Sequence, residues 1–203
     1  MKFEENKIYH IYNRGNNQAD IFFDDENYLF FLEKIKKELT PHCKVLAYCL
    51  MPNHFHLMVY TTKKSCEPTR PTTQSGQTSG EMQVLTRKIG TLLSSYTRAI
   101  NKRHKRTGSL FQQKTKVKCL VNNDEHYPIT CFHYIHQNPI NAKLVSKMED
   151  WEYSSFNAYT ALIKDELVDV DFCKTLIEIA YDKDAFYKES YEQIATTKID
   201  KLY

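Results

Sequence analysis

Apolar residues recur along residues 7–120 with two spacings, the two-residue period of strands and the three-to-four-residue period of helices. The pattern predicts strand, helix, strand, strand, helix and strand, in that order, over these stretches: Lys7–Arg14, Asp24 or Asp25–Leu39, Lys44–Leu50, His54–Tyr60, Met82–Arg103 and Lys114–Leu120. This is the element order of a ferredoxin-like α+β sandwich, whose antiparallel sheet leaves one face for ligands.

Turn and cap residues divide the remainder. Pro52-Asn53 predicts a hairpin turn between the second and third strands. The segment Thr61–Gly80 is rich in Ser, Thr, Gly, Pro and Gln and reads as a mobile surface loop. Asp124 is expected to cap a further helix that runs through Tyr134, and Pro139 is expected to prevent its continuation.

The domain organisation follows from these elements. We expect a main domain over residues 1–145 and a C-terminal helical extension over 146–203. Helical stretches are predicted around Asp171–Tyr181 and Lys183–Ile194, with aromatic residues that pack against the sandwich or form a small accessory unit.

Composition points to a cytoplasmic setting. The chain has 203 residues and six cysteines, none in a C-x-x-C pair. Residues 1–7 carry charges but no apolar signal core, and the longest apolar run, Val45–Met51, is too short to span a bilayer. We therefore expect a reduced protein with no membrane contact.

Basic residues are concentrated in one region. The net charge is only +3, but Met82–Asn123 contains ten Lys or Arg residues and no Asp or Glu. Such segregation favours a surface that contacts a polyanion such as nucleic acid. The alternative for the densest part, Lys102–Arg106, is an ordinary solvated helix face.

Two histidines provide the first candidate chemistry. In a strand, His54 and His56 lie on the same face while Phe55 points to the core, so the two imidazoles can converge on one divalent ion. We expect that face to be exposed. The alternative is a pair of ordinary half-exposed histidines, and His10 is either a structural residue or a further residue of the site.

A later helix completes a resemblance. His54-Phe55-His56 and Tyr134-Ile135-His136-Gln137-Asn138-Pro139 together resemble the single-tyrosine HUH transposases, and most closely the repeat-associated tyrosine transposases. The segments Tyr9–Gly15, Ala47–His56 and Gly108–Gln112 also match the family pattern, so the resemblance covers about Lys7–Val145.

The resemblance implies a metal-dependent DNA strand transferase. It assigns Mg²⁺ or Mn²⁺ to His54, His56 and Asn138, and the nucleophile that forms a 5′-phosphotyrosine to Tyr134, with Tyr127 as the next candidate. The expected substrate is single-stranded or hairpin DNA, bound by a monomer or a homodimer. The candidate DNA-binding residues are Arg14, Arg98, Lys102, Arg103, Lys105, Arg106, Lys114, Lys116 and Lys118.

Two other functions stay open at this point. A replication initiator or relaxase uses the same chemistry, although such proteins usually carry further domains or a second tyrosine. A non-catalytic nucleic-acid-binding protein is the alternative from a different class, because ferredoxin-like sheets with aromatic and lysine side chains also bind single strands. Metal-dependent cleavage of DNA is expected of the enzymes and not of the binding protein.

Overall fold

A computed structural model of the chain describes residues 1–69, 82–120, 127–200 and 202. The strands, in chain order, are β1 (Ile8–Arg14), β2 (Cys43–Met51), β3 (His54–Thr61), β4 (Pro68–Thr69), β5 (Met82–Gln83) and β6 (Lys116–Cys119). Within the described residues, β4 and β5 pair with each other, and the other four strands form one antiparallel sheet in the order β2-β3-β1-β6. The sequence predicted this α+β sandwich, and the observed strand order is that of the ferredoxin-like arrangement.

Helices cover both faces of the sheet. They are α1 (Asp25–Glu38), α2 (Lys63–Cys66), α3 (Val84–Arg103), α4 (Tyr127–Asn141), α5 (Phe156–Tyr159), α6 (Val170–Ile177), α7 (Lys183–Tyr191) and α8 (Thr196–Asp200). Asp24 caps α1 by accepting a 2.9 Å hydrogen bond from the Asn27 backbone N–H.

One face of the sheet carries the main apolar core. Phe55 of β3 contacts Phe31 of α1, with ring centroids 5.3 Å apart, and Phe31 meets Tyr96 of α3 edge to face at 4.9 Å. These rings are fully buried. Because side chains alternate along β3, His54 and His56 must point to the opposite face, against which α4 packs.

The prediction that Pro139 ends its helix is wrong, because α4 continues through Pro139 to Asn141. Proline has no N–H, so the Ile135 carbonyl loses its usual partner. The side-chain amide of Asn138 donates to that carbonyl at 3.4 Å and to the Tyr134 carbonyl at 2.7 Å, and the Ala142 N–H beyond the helix donates to the Asn138 carbonyl at 2.9 Å. The predicted cap, Asp124, lies outside the described residues.

The predicted loop from Thr61 to Gly80 differs from the structure in its first part. Thr61 ends β3, α2 follows directly, and β4 pairs with β5. Thr62 and Ser65 form a capping box that begins α2, which a reading based on composition missed. Residues 70–80 lie outside the described part of the chain.

The C-terminal region packs along the edge of the sheet beside β2. The Leu50 N–H donates to the Tyr153 carbonyl at 2.9 Å, and the Trp151 indole N–H donates to the Leu50 carbonyl at 3.0 Å. Phe156 and Phe186 join the buried core. The helices expected at 171–181 and 183–194 correspond to α6 and α7, each shorter than predicted, and the division at residue 145 stays a prediction.

Across the described ranges, none of the helices combines the length and the apolar character that crossing a bilayer requires.

Candidate active site

Segments that are distant in sequence meet at one end of the sheet. The Gly15 N–H donates to the Asn53 carbonyl at 2.8 Å, and the Gln112 N–H donates to the Arg14 carbonyl at 2.8 Å. Gly15 is required here, because a Cβ at this position would lie 2.0 Å from the Ala19 carbonyl oxygen. The end of β1, the β2–β3 turn and the segment before β6 therefore form one rigid frame beside His54.

Strand register places several chemically active side chains on the same face as the histidine pair. Across β1 and β3, Tyr12 pairs with His56 and Arg14 pairs with His54. Across β1 and β6, His10 pairs with Lys118 and Tyr12 with Lys116. We call this the histidine face; it carries His10, Tyr12, Arg14, His54, His56, Lys116 and Lys118.

The histidine face is not open, contrary to the prediction. His56 is 1% exposed beneath α4, and His54 is half-buried. Arg14 and Lys116 on the same face are exposed, and a cavity of about 280 Å³ opens beside the pair, lined by residues that include Tyr12, Arg14, His54, His56, Gln112 and Lys116.

His54 is oriented from both sides. Its Nδ1 lies 2.6 Å from Asn53 Oδ1, and since the Asn53 amide nitrogen donates to the Gln18 carbonyl, Oδ1 is the acceptor. Nδ1 therefore carries the proton and Nε2 is the nitrogen with a lone pair. Burial and the nearby charge of Arg14 lower the pKa of His54 to about 4, against a hydrogen bond to Asn138 that acts in the opposite direction.

His56 is held by a third histidine. His10 Nε2 lies 2.9 Å from His56 Nδ1, and the two rings stack with centroids 5.1 Å apart. Burial is the main cause that lowers the pKa of His10 to about 3 and the pKa of His56 well below its usual value. Both imidazoles are therefore neutral at pH 7, which is the form that a metal ligand requires.

Helix α4 brings the two remaining candidates to the pair. Tyr134 is 8% exposed and meets His56 edge to face, with ring centroids 5.6 Å apart. Because the Asn138 amide nitrogen is bonded to the helix backbone, Oδ1 is the end of the side chain that can accept a further bond. Tyr134 and Asn138 also line a second cavity, of about 590 Å³, between α4 and the C-terminal helices.

The other candidate nucleophile, Tyr127, lies at the start of the helix. Tyr127 has its ring 6.0 Å from the amino group of Lys118. It is two turns of helix from Tyr134. Of the two, Tyr134 is the tyrosine with a ring contact to His56.

The donor set fits a divalent ion. Two neutral imidazoles, each engaged through Nδ1, are ligands for divalent transition metals, and the amide oxygen is a ligand of the kind that Mn²⁺ and Mg²⁺ prefer. Among the described residues, no three His, Cys, Asp or Glu side chains converge as a metal-binding group. An ion bound by this pair would therefore take further ligands from Asn138 and from oxygens outside the chain.

The candidate DNA-binding residues divide into two groups. Arg14, Lys116 and Lys118 lie on the histidine face. The others belong to α3, which packs on the opposite face, and to the segment that follows it: Arg98, Lys102, Arg103, Lys105, Arg106 and Lys114. Arg98 and Lys114 line a wide groove of about 1100 Å³. Arg103 is paired with Asp24, at 3.0 Å, and with Glu26.

Of the residues that line the cavity, Tyr12 and Asn13 were not among the predicted site residues, and Gln112 entered only through the match of Gly108–Gln112 to the family pattern. His10 was left open between a structural and a site role, and the antiparallel pairing of β1 with β3 places it in contact with His56. A signal for His10 and Tyr12 was present in the sequence, because residues two positions apart on a predicted strand share one face. By contrast, His133 and His136 are buried packing residues, and His136 bonds to Ser155 at 2.8 Å.

The fold and the site together define an α+β protein whose antiparallel sheet carries a histidine pair beneath a tyrosine-bearing helix. No family model and no curated protein matches the chain. Among solved structures, it is similar to a REP-associated tyrosine transposase bound to a REP hairpin, with a TM-score of 0.57 and 15% identity over 84% of this chain and 87% of that chain. A bacterial tRNA(His) guanylyltransferase-like protein in complex with GTP matches with a TM-score of 0.35 and 8% identity over 70% of each chain. At 15% identity the first likeness shows the fold, and it confirms the predicted sandwich.

Proposed function

We propose that the chain is a metal-dependent DNA strand transferase of the single-tyrosine HUH type, which cleaves and rejoins single-stranded or hairpin DNA. The observation that carries the proposal is the convergence of Tyr134 and Asn138, from one helix, on the His54–His56 pair of one strand. The similar structure of a tyrosine transposase bound to a REP hairpin adds support at the level of the fold.

In the proposed reaction, the Tyr134 hydroxyl attacks the scissile phosphorus. The phenolic proton passes to water, a phosphotyrosine bond forms on the 5′ side, the bond between phosphorus and the 3′ oxygen breaks, and that oxygen takes up a proton from water to leave as a 3′-hydroxyl. Rejoining reverses the step with another 3′-hydroxyl. His54, His56 and Asn138 would hold a divalent ion, Mg²⁺ or Mn²⁺, which when bound draws charge from the phosphate and so assists a phenol whose ordinary pKa is ~10.

The basic residues would position the strand. Arg14 and Lys116 line the same cavity as the histidine pair, and Lys118 continues the row along β6. Their charges suit phosphates on either side of the cleaved bond, which are contacts that give affinity without base specificity. The cavity also offers Tyr12, whose ring stacks on His10 at 4.7 Å and presents an aromatic surface to a base.

The test is Tyr134→Phe, which keeps the ring and its contact with His56 but removes the attacking oxygen. Wild-type and variant protein are incubated with a library of DNA hairpins and Mg²⁺, and covalent adducts are recovered and mapped by mass spectrometry. We expect an adduct on Tyr134 in the wild type, no adduct in the variant, and DNA binding retained in both. The matched control is Tyr127→Phe, which should form the adduct normally.

Each other outcome has a defined meaning. An adduct on Tyr127 would move the nucleophile along α4 and keep the reaction. No adduct on any tyrosine, with hairpins bound and Mg²⁺ or Mn²⁺ supplied, would contradict the enzyme and favour a nucleic-acid-binding protein.

A further inference from the structure

Two buried histidines on neighbouring strands share one hydrogen bond beside the candidate metal site. His10 and His56 are 0% and 1% exposed, and the contact joins His10 Nε2 to His56 Nδ1 at 2.9 Å. The ring of Tyr12 stacks on His10 at 4.7 Å, so the imidazole of His10 is fixed in its plane.

The position of one proton in this contact determines what His56 can do. A neutral imidazole has one N–H, so only one of the two rings donates across the 2.9 Å contact. If His56 donates from Nδ1, its Nε2 carries the lone pair that a metal needs. If His10 donates instead, the proton of neutral His56 lies on Nε2, and that nitrogen cannot bind an ion.

The chemistry of the candidate site favours the first arrangement. The 2.9 Å contact joins Nε2 of His10 to Nδ1 of His56, so the ring nitrogens outside the contact are Nδ1 of His10 and Nε2 of His56. A neutral His10 with its proton on Nδ1 accepts through Nε2, and this is the arrangement in which Nε2 of His56 keeps the lone pair that an ion at the histidine pair needs.

We propose that His10 is a positioning residue that holds the proton of His56 on Nδ1 and so directs the Nε2 lone pair of His56 toward the metal site. The inference deepens the proposed function and rests on its metal site. His10 itself would touch neither metal nor DNA; it would act through His56, as outer residues of metal sites orient the ligands that they contact.

The experiment measures Mn²⁺ binding to the full metal-free chain by titration calorimetry. His10→Phe keeps an aromatic ring of similar shape but removes the acceptor, and should weaken Mn²⁺ binding by about 10- to 100-fold. His10→Gln can place an amide oxygen near the position of Nε2, and should restore binding to within a few-fold of wild type. The matched control is His136→Phe, which also removes a buried imidazole with one hydrogen bond, here to Ser155 at 2.8 Å, and should bind Mn²⁺ normally.

A second measurement keeps the test decisive if His10→Phe fails to fold. Nitrogen-15 NMR of the metal-free wild type distinguishes the two tautomers, and His56 should carry its proton on Nδ1. A proton on Nε2 of His56, unchanged Mn²⁺ binding in His10→Phe, or equal weakening in His10→Gln would each overturn the proposal. If the wild type binds no Mn²⁺, the proposed metal site fails, and the tautomer of His56 still decides the role of His10.

Discussion

Replacing His56 should destabilise the fold far more than replacing His54, although the two residues play matching roles in the candidate site. The ring of His56 is 1% exposed and lies within about 6 Å of His10, His54 and Tyr134, measured between ring centroids at 5.1, 5.0 and 5.6 Å. His54 is half-buried, and its bond to Asn53 lies near the surface. The sequence predicted that both residues lie on an exposed face, and the packing of α4 makes that expectation wrong for His56.

The magnitude follows from what each deletion leaves behind. His56→Ala opens a cavity in the core and removes the hydrogen-bond partner of His10, for a loss of about 3–5 kcal/mol. His54→Ala removes a partly solvated ring and one hydrogen bond, for about 1 kcal/mol. In a protein of this length each kcal/mol shifts the melting temperature by roughly 2–4 °C, so we expect shifts of about 10 °C and about 3 °C.

Thermal unfolding followed by circular dichroism, with a chelator present, measures both shifts without any contribution from metal. A third variant, His56→Asn, separates stability from metal binding, because the Asn amide can still donate to His10 but offers no nitrogen at the position of Nε2. It should regain much of the lost stability and still bind Mn²⁺ poorly. Equal melting shifts for the two alanine variants would refute the burial argument, and normal Mn²⁺ binding by His56→Asn would refute the ligand assignment.

Three further predictions concern the frame, the charges and pH. Gly15→Ala should destabilise the protein by more than 2 kcal/mol in urea unfolding, because the new Cβ would lie 2.0 Å from a carbonyl oxygen, whereas Gly90→Ala, with nothing within 4 Å, should stabilise α3 by about 1 kcal/mol. Neutralising three charges on the histidine face should reduce the slope of log K against log salt concentration, for single-strand binding, by about 2. Neutralising three charges on the opposite face should reduce that slope less. The two sets for this comparison are Arg14, Lys116 and Lys118, and Lys102, Lys105 and Arg106. Burial lowers the pKa of His136 to about 3 from 6.5. The stabilising contribution of the neutral ring is therefore complete above pH 6.5, and it falls by about 1.4 kcal/mol per pH unit as the pH decreases toward 3. In His136→Phe, the free energy of unfolding in urea should therefore fall less between pH 7.5 and pH 5.5 than in the wild type.

Each of these predictions has its own contrary result. Equal stabilities of the two glycine variants would mean that the chain near Gly15 can move away from the new Cβ. A larger salt effect from the set at the end of α3 would place the DNA on the opposite face. An unchanged pH slope in His136→Phe would mean that His136 is protonated at similar pH in the folded and unfolded chains.

The fold was predictable because its signals are local and repeated. Alternation along β1 and β3, the helical apolar spacing of α1 and α3, and the Pro52-Asn53 turn each indicate an element without reference to the others. The element order then leaves few topologies, and the strand order β2-β3-β1-β6 is the one that the ferredoxin-like pattern requires. The packing of α4 on the histidine face could not be predicted from the periodicity of single segments, because it depends on contacts between segments far apart in the chain.

The sequence allowed the types of residue in the candidate site to be predicted, but not their burial or the contact of His10 with His56. The spacing of His54 and His56 indicated a shared strand face, and Tyr134 and Asn138 indicated a shared helix face. Their burial, and the third histidine behind them, depend on the register between β1 and β3, which pairs Tyr12 with His56 and brings His10 next to it. Register is set when strands pair, by the faces that become buried and by the turn geometry, so the sequence of one strand alone does not specify it.

Pro139 links one failure of the sequence rules to the chemistry of the site. A proline removes the N–H that would bond to the Ile135 carbonyl, and the rule therefore ends the helix before it. In this chain the preceding residue supplies the missing donor, because the Asn138 amide nitrogen bonds to the carbonyls of Tyr134 and Ile135. With the amide nitrogen bonded in this way, the amide oxygen is the end of the Asn138 side chain that can bind an ion. Because Pro139 leaves the Ile135 carbonyl without its usual donor, the Asn138 amide nitrogen bonds there, and the amide oxygen is the atom that stays available to the proposed metal site.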